Sequence, residues 1–166
     1  KLVDLFGGPG FHFGFAGTWY LLSAHTGDIK GQEESWTMFK ALSVTGATTL
    51  GLKMIRDNDT PNDKTYGWPS GHTSRSFTVA SGINELYGPK IGIPAYIGAG
   101  FVGYRMMDSS DHWASDVLFG VGLGDVVGHH IAGKHEEVKV VGFKVVPFSE
   151  AKRDGAAMGV RFVKKF

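Results

Sequence analysis

The chain has 166 residues, no cysteine, an apolar share of 42% and a formal net charge of +1. This length favours one domain with a sizeable core, and the apolar share excludes a disordered chain. The balanced charge, without any basic run, excludes nucleic acid as a partner, and the lack of cysteine excludes disulfides and thiolate metal sites.

The predicted elements are mostly helical. The 25 glycines often lie inside apolar stretches, which indicates closely packed helices. The polar segment 57–69 predicts a long loop of the kind that carries function. We therefore expect a mainly α protein, a compact bundle of about five to six helices. The helices are predicted at 11–24, 36–56 (with Ser35 as N-cap), 72–87, 93–107 and 112–133.

The C-terminal part of the chain differs in composition from the rest. Segments 138–146 and 159–166 are rich in β-branched and aromatic residues, and they flank the polar stretch FSEAKRDGAA. This pattern is compatible with a short C-terminal β-hairpin. We therefore divide the chain into a helical domain at 1–137 and an appendage at 138–166.

No apolar segment approaches the roughly twenty residues that a membrane-spanning helix needs without being interrupted by charge. A soluble or peripheral protein is the expectation. The chain begins at Lys1 rather than at a methionine, which fits either a removed leader or a trimmed sequence.

The strongest local signal is WPSGHTS, residues 68–74. Pro69, Ser70 and Gly71 directly before a helix predict a tight turn whose free backbone N–H groups form an anion cradle. His72 then lies at the mouth of this cradle, where it can give a proton to a group leaving the bound anion. The simpler alternative is a helix start with an incidental capping histidine.

The second signal is DHWASD, residues 111–116. His112 and Asp116 are four residues apart, so on a helix their side chains share one face. A carboxylate bonded to one imidazole nitrogen leaves the other with an exposed lone pair, as a nucleophilic or general-base histidine requires. An ordinary surface pair at this spacing is the alternative.

Two basic residues lie near predicted helix ends. Lys53 precedes the polar loop, and Arg105 precedes the turn formed by Asp108, Ser109, Ser110 and Asp111. Each could be an ordinary partner of the helix dipole. Both, however, come just before a segment that leads to a histidine.

Together these residues resemble the signature of the type-2 phosphatidic acid phosphatase (PAP2) superfamily, which includes bacterial acid phosphatases and vanadium haloperoxidases. PSGH matches fully, HWASD matches the spacing from histidine to aspartate, and Lys53 lies the expected distance before Thr60-Pro61. The signature has arginine where Thr60 stands, and Arg56 is a candidate substitute. Six residues rather than five separate Arg105 from His112.

The resemblance implies a metal-independent phosphatase that acts on a phosphate monoester or pyrophosphate through a phosphohistidine. In this scheme His112 attacks phosphorus, Asp116 stabilises the resulting cation and His72 protonates the leaving group. Lys53 and Arg105, with N–H groups near Ser70 and Gly71, hold the phosphoryl oxygens. The expected substrate is a phosphorylated small molecule or lipid, in the periplasm or at the bacterial envelope, with peripheral membrane contact.

Three other readings remain open. A vanadium haloperoxidase would hold vanadate, otherwise an inhibitor, as its cofactor in the same place. A non-catalytic module would bind phosphate or phospholipid without turnover, and a purely structural helical domain would do neither. His129, His130 and His135 are read as solvated surface rather than a metal site, because their spacing does not bring two ligands to one helix face. No metal or other cofactor is expected.

Overall fold

The computed structural model describes residues 7–133, 139–140, 143–152 and 155–163. The chain forms two compact units, Lys1–Gly133 and Lys134–Phe166.

The first unit is a helical bundle, as predicted. Within the described residues it contains five helices: α1 (Pro9–Thr26), α2 (Ile29–Ile55), α3 (Gly71–Tyr87), α4 (Pro89–Asp108) and α5 (Ala114–Ala132). Helix α3 lies at the centre of the bundle, because it packs against each of the other four. None of the described helices has the combination of length and apolar character needed to cross a bilayer.

The predicted start of α2 at Trp36 is wrong. The helix begins at Ile29, and Asp28 caps it by accepting a hydrogen bond from the Gly31 N–H at 3.0 Å. Ser35 is a fully buried residue inside the helix, and its hydroxyl donates to the Gln32 carbonyl at 3.0 Å. An aspartate at the N-cap satisfies a first-turn amide as well as serine does, so residue type alone does not favour Ser35 over Asp28.

The predicted start of α5 at His112 is also wrong, by two residues. The helix begins at Ala114, and the preceding Trp113, its N-cap, has an extended backbone with φ of −70° and ψ of 155°. His112 therefore lies in the connecting loop rather than on the helix. This matters for the site, because the pairing of His112 with Asp116 cannot be explained by two positions on one helix face.

Glycines on α5 pack against the backbone of α3. A Cβ atom added to Gly124 would lie 2.2 Å from the Ser74 carbonyl oxygen, and one added to Gly120 would lie 2.9 Å from the Ser70 carbonyl oxygen. Only a residue without a side chain permits this approach, so the prediction of glycine-mediated helix packing is confirmed. The contact also aligns the starts of α3 and α5, where the Ser70 N–H donates to the Asp116 carbonyl at 3.1 Å.

The second unit contains three described strands, β1 (Lys139–Val140), β2 (Phe143–Lys152) and β3 (Gly155–Val163), in the order β1-β2-β3. Strands β2 and β3 are antiparallel, with pairing from Lys144↔Val163 to Lys152↔Gly155. The two strands therefore extend into FSEAKRDGAA, of which residues 148–152 and 155–157 are paired.

Candidate active site

An open cavity of about 540 Å³ lies where the end of α2, the polar loop and the start of α3 meet the loop before α5. Four of the eight predicted site residues line it: Lys53, Gly71, His72 and His112. The two histidines come from separate elements and face one space. The structure therefore gathers the central part of the predicted constellation.

His112 lies beside a buried carboxylate. Its Nδ1 atom is 3.6 Å from Oδ2 of Asp116, slightly beyond hydrogen-bond length, so their interaction is mainly electrostatic. Asp116 is fully buried, and its Oδ2 accepts the Trp113 N–H at 2.9 Å. Asp116 is thus fixed at the start of α5 by the backbone next to His112, which explains the pairing without a helical position for the histidine.

The environment of His112 favours the neutral imidazole. Its side chain is only 10% exposed. Burial lowers the pKa of His112 most strongly, and the positive charge of Lys53 lowers it further. The carboxylate of Asp116 and the carbonyl of Gly67 oppose this shift without reversing it. A neutral imidazole with Nδ1 directed at a carboxylate leaves Nε2 as the nitrogen with a reactive lone pair.

The start of α3 has the geometry of an N-capped helix. Ser70 is the N-cap, and its hydroxyl oxygen accepts the Thr73 N–H at 3.4 Å. Ser70 is fully buried, and its own N–H is occupied by the Asp116 carbonyl. Gly71, the first helical residue, lines the cavity instead. The amide of Ser70, one of the two expected near the phosphoryl group, is therefore already bonded within the protein.

Lys53 lies in the last turn of α2 and places its ammonium group at the cavity, where it donates to the Tyr66 carbonyl. Burial has the largest effect on the pKa of Lys53 and lowers it; the carboxylate of Asp116 raises this pKa, and the charge of Arg75 lowers it. Asp116 and Arg75 therefore both lie close enough to Lys53 to change its pKa.

Arg105 is not brought to the cavity. Its guanidinium forms an ion pair with Asp108 on the surface. The next residue, Met106, is 2% exposed and lines the cavity in its place. Successive helical residues point about 100° apart, so both side chains cannot face the same space. The extra residue before His112 is accommodated in the turn, where Ser110 adopts a φ of 58°.

Arg56 and Thr60 also differ from expectation. Arg56 ends α2 and places its guanidinium 5.2 Å from the ring centroid of Trp68, and it does not line the cavity. Thr60 does line the cavity. Its hydroxyl donates to Asn62 at 2.6 Å and accepts the Lys64 N–H at 3.0 Å, so it shapes the polar loop.

Sequence reasoning missed Arg75, which lines the cavity. It follows His72 by three residues on α3, a spacing that places two side chains on neighbouring parts of one helix face. This three-residue spacing from His72 was the signal in the sequence that could have identified Arg75. Lys64 was missed as well, although it lies at the exposed rim, where its ammonium pairs with Asp111 at 3.1 Å.

The remaining histidines do not form a metal site in the described part of the chain, where no three potential ligands converge. His129 pairs with Glu85 at 2.7 Å. His135, Glu136 and Glu137 lie outside the described residues.

Comparison with known proteins places this arrangement in context. The sequence pattern of the PAP2 superfamily matches residues 47–137, which contain every cavity residue discussed above. The chain is 30% identical over 111 residues to the lipid A 1-phosphatase of Porphyromonas gingivalis. That alignment covers 60% of this chain and 24% of the relative, so the chain corresponds to about a quarter of that protein. No solved structure matches. The family pattern covers more than half of the chain and includes its cavity, and the chain therefore belongs to the PAP2 superfamily.

Proposed function

We propose that the protein hydrolyses the phosphate monoester of a lipid through a phosphohistidine intermediate, with His112 as the nucleophile and without a metal ion. The observation that carries this proposal is the buried His112–Asp116 pair in the same cavity as His72. Membership of the PAP2 superfamily and the name of the relative from P. gingivalis support phosphatase chemistry.

In the first step Nε2 of His112 attacks phosphorus, and the bond from phosphorus to the ester oxygen breaks. His72, protonated, gives its proton to the departing alkoxide. The imidazole of His112 becomes positively charged as the new bond forms, and the carboxylate of Asp116 stabilises that charge. Lys53 and the first-turn amide of Gly71 interact with the phosphoryl oxygens.

In the second step water attacks phosphorus, and the bond between phosphorus and Nε2 breaks. His72, now neutral, accepts the proton that the water loses, so the free enzyme returns with His72 protonated and His112 neutral. The products are the lipid alcohol and inorganic phosphate. The lowered pKa of His112 supports this cycle, because the nucleophile must be unprotonated at the start.

An apolar stripe on α2, formed by Trp36, Phe39, Leu50 and Met54, supports a lipid substrate. The spacing of these residues places them on one face of the helix. Leu50 and Met54 are 60% and 73% exposed, and Leu50 also lines the cavity. These four residues span roughly 27 Å of the helix at 1.5 Å per residue, with the smaller exposed residues Ser43 and Ala47 between the two pairs. An acyl chain attached to a phosphate in the cavity can therefore lie along α2 from Leu50 towards Phe39 and Trp36.

The far end of the stripe borders a second, mainly apolar cavity of about 620 Å³ between α1 and α2, lined in part by Trp36 and Phe39. Their rings stack with centroids 5.4 Å apart. This surface can also account for the peripheral membrane contact expected from the sequence. The envelope location itself stays a prediction.

The decisive experiment measures phosphate release from a lipid phosphate and from p-nitrophenyl phosphate. Substitution of the nucleophile, His112→Ala, should lower kcat by at least about 10³-fold on both substrates. His25→Ala, an exposed histidine in the last turn of α1, is the matched control and should leave kcat unchanged. Release that persists in the His112→Ala protein would exclude His112 as nucleophile.

The lipid part of the proposal has its own test. Leu50→Ser should raise KM for a lipid phosphate in mixed micelles by a much larger factor than KM for p-nitrophenyl phosphate, since both substrates reach the cavity that Leu50 lines and only the lipid extends along the rest of the α2 stripe. Ile97→Ser removes a similarly exposed side chain from α4 and serves as control. Equal KM values for the lipid in the wild-type and Leu50→Ser proteins would remove the stripe from the substrate site.

A further inference from the structure

The cavity lacks the arginines that the sequence assigned to it. Arg105 pairs with Asp108, Arg56 lies over Trp68, and Thr60 occupies the position where the family signature has arginine. A phosphoryl group carries charge on several oxygens, and a planar guanidinium with parallel N–H donors matches that geometry better than an ammonium group does. We therefore looked for a guanidinium donor among the residues that line the cavity.

Arg75 has the required position. Its Nη1 and Nη2 atoms lie 3.3 and 3.4 Å from the point where a Cβ atom on Gly71 would sit. The guanidinium thus folds back over the first turn of α3, beside Gly71, and both residues line the cavity. Gly71 has no side chain, which leaves room for both the guanidinium and a ligand.

In the described part of the chain, no carboxylate forms an ion pair with Arg75. Its Nε atom is buried and has no hydrogen-bond partner among the described residues. Burial lowers the pKa of Arg75, and the nearby charge of Arg75 contributes to lowering the pKa of Lys53 and of His12. A guanidinium held in this way at a helix N-terminus attracts an anion, because the charge and the helix dipole act in the same direction.

We infer that Arg75 is a phosphate-binding residue of this active site and supplies the guanidinium that Thr60 and Arg105 do not. The inference rests on the proposed function for its catalytic consequence, since the bound anion is then the phosphoryl group of the substrate. The binding itself does not depend on the identity of the nucleophile. Inorganic phosphate, the reaction product, is the probe that separates the two claims.

The test compares Arg75→Lys and Arg75→Gln with Arg105→Gln in the full chain. We expect kcat/KM to fall about 10-fold for Arg75→Lys and about 10²- to 10³-fold for Arg75→Gln, in line with the loss of one oxyanion donor. The dissociation constant of inorganic phosphate, measured by calorimetry, should rise at least about 10-fold for Arg75→Gln. Arg105→Gln should stay within about 2-fold of wild type on both measures.

His112→Ala completes the design, because it should abolish turnover and still bind inorganic phosphate. Thermal unfolding of each variant identifies any that fails to fold, and Arg75→Lys, which keeps the charge and most of the side-chain volume, then carries the test. Phosphate affinity within about 2-fold of wild type in a folded Arg75→Gln protein would overturn the inference, and so would a kcat/KM within about 2-fold of wild type in Arg75→Lys. So would an effect of Arg105→Gln as large as that of Arg75→Gln.

Discussion

Removal of the charge on Asp116 tests how the protein activates its histidine. Asp116→Asn keeps the size of the side chain and an oxygen that can accept the Trp113 N–H, so the start of α5 should remain capped. What it removes is the negative charge 3.6 Å from Nδ1 of His112. The perturbation therefore separates the electrostatic role of the carboxylate from its structural role.

The expected loss of activity follows from the distance between the two charges. With an effective dielectric constant of about 20, two unit charges 3.6 Å apart attract by roughly 4–5 kcal/mol. The attraction acts fully only when His112 is positively charged, in the phosphohistidine and the transition state that leads to it. Asparagine retains a dipole at the site, so this is an upper bound. We expect kcat to fall about 10²- to 10³-fold.

The assay is initial-rate phosphate release from p-nitrophenyl phosphate under saturating substrate, with thermal unfolding as a check of the fold. Asp125→Asn is a matched control on the same helix, since Asp125 accepts a hydrogen bond from Tyr96 away from the cavity. A folded Asp116→Asn protein whose kcat stays within about 3-fold of wild type would refute the reasoning that this carboxylate stabilises a charged His112.

Two further predictions concern pH and packing. The acid limb of the pH profile of kcat/KM should lie below 6.5, because burial and Lys53 lower the pKa of His112, and activity is lost as pH falls through that pKa. Lys53→Met should move this limb to higher pH, and a limb that moves the other way would contradict the assigned charge effect. Gly124→Ala should lower the free energy of unfolding by about 3 kcal/mol, since its Cβ would lie 2.2 Å from the Ser74 carbonyl oxygen. Gly122→Ala, with nothing within 4 Å, should instead be neutral or stabilising by up to about 1 kcal/mol in thermal or chemical unfolding, and equal losses for both would argue against the close α3–α5 contact.

The core of the site could be predicted from the sequence because its chemistry depends on short local segments. The turn before α3 places Gly71 and His72 at a helix start. His112 and Asp116 are only four residues apart, so they lie close together whether or not His112 is helical. The family signature then indicated that the two segments meet. The glycines of α5 explain in physical terms how they do so.

The arginines could not be predicted in the same way, because their directions depend on helix phase and on turn geometry. One extra residue before His112 is accommodated at Ser110, and Met106 rather than Arg105 faces the cavity. Arg75 lies on the same face of α3 as His72, but α3 contacts four other helices, and sequence alone does not indicate which neighbour that face meets. The start of α2 was missed for a simpler reason, since Asp28 and Ser35 are both good N-caps and only packing selects between them.

The most direct test of the account is to identify the residue that carries the phosphoryl group during turnover. Wild-type protein mixed with an activated aryl phosphate should be quenched in alkali, which preserves phosphohistidine, then digested and analysed by mass spectrometry. We expect one phosphoryl group on His112, absent from the His112→Ala protein. A phosphoryl group on another residue, or turnover with no phosphorylated peptide in rapid-quench samples, would contradict it.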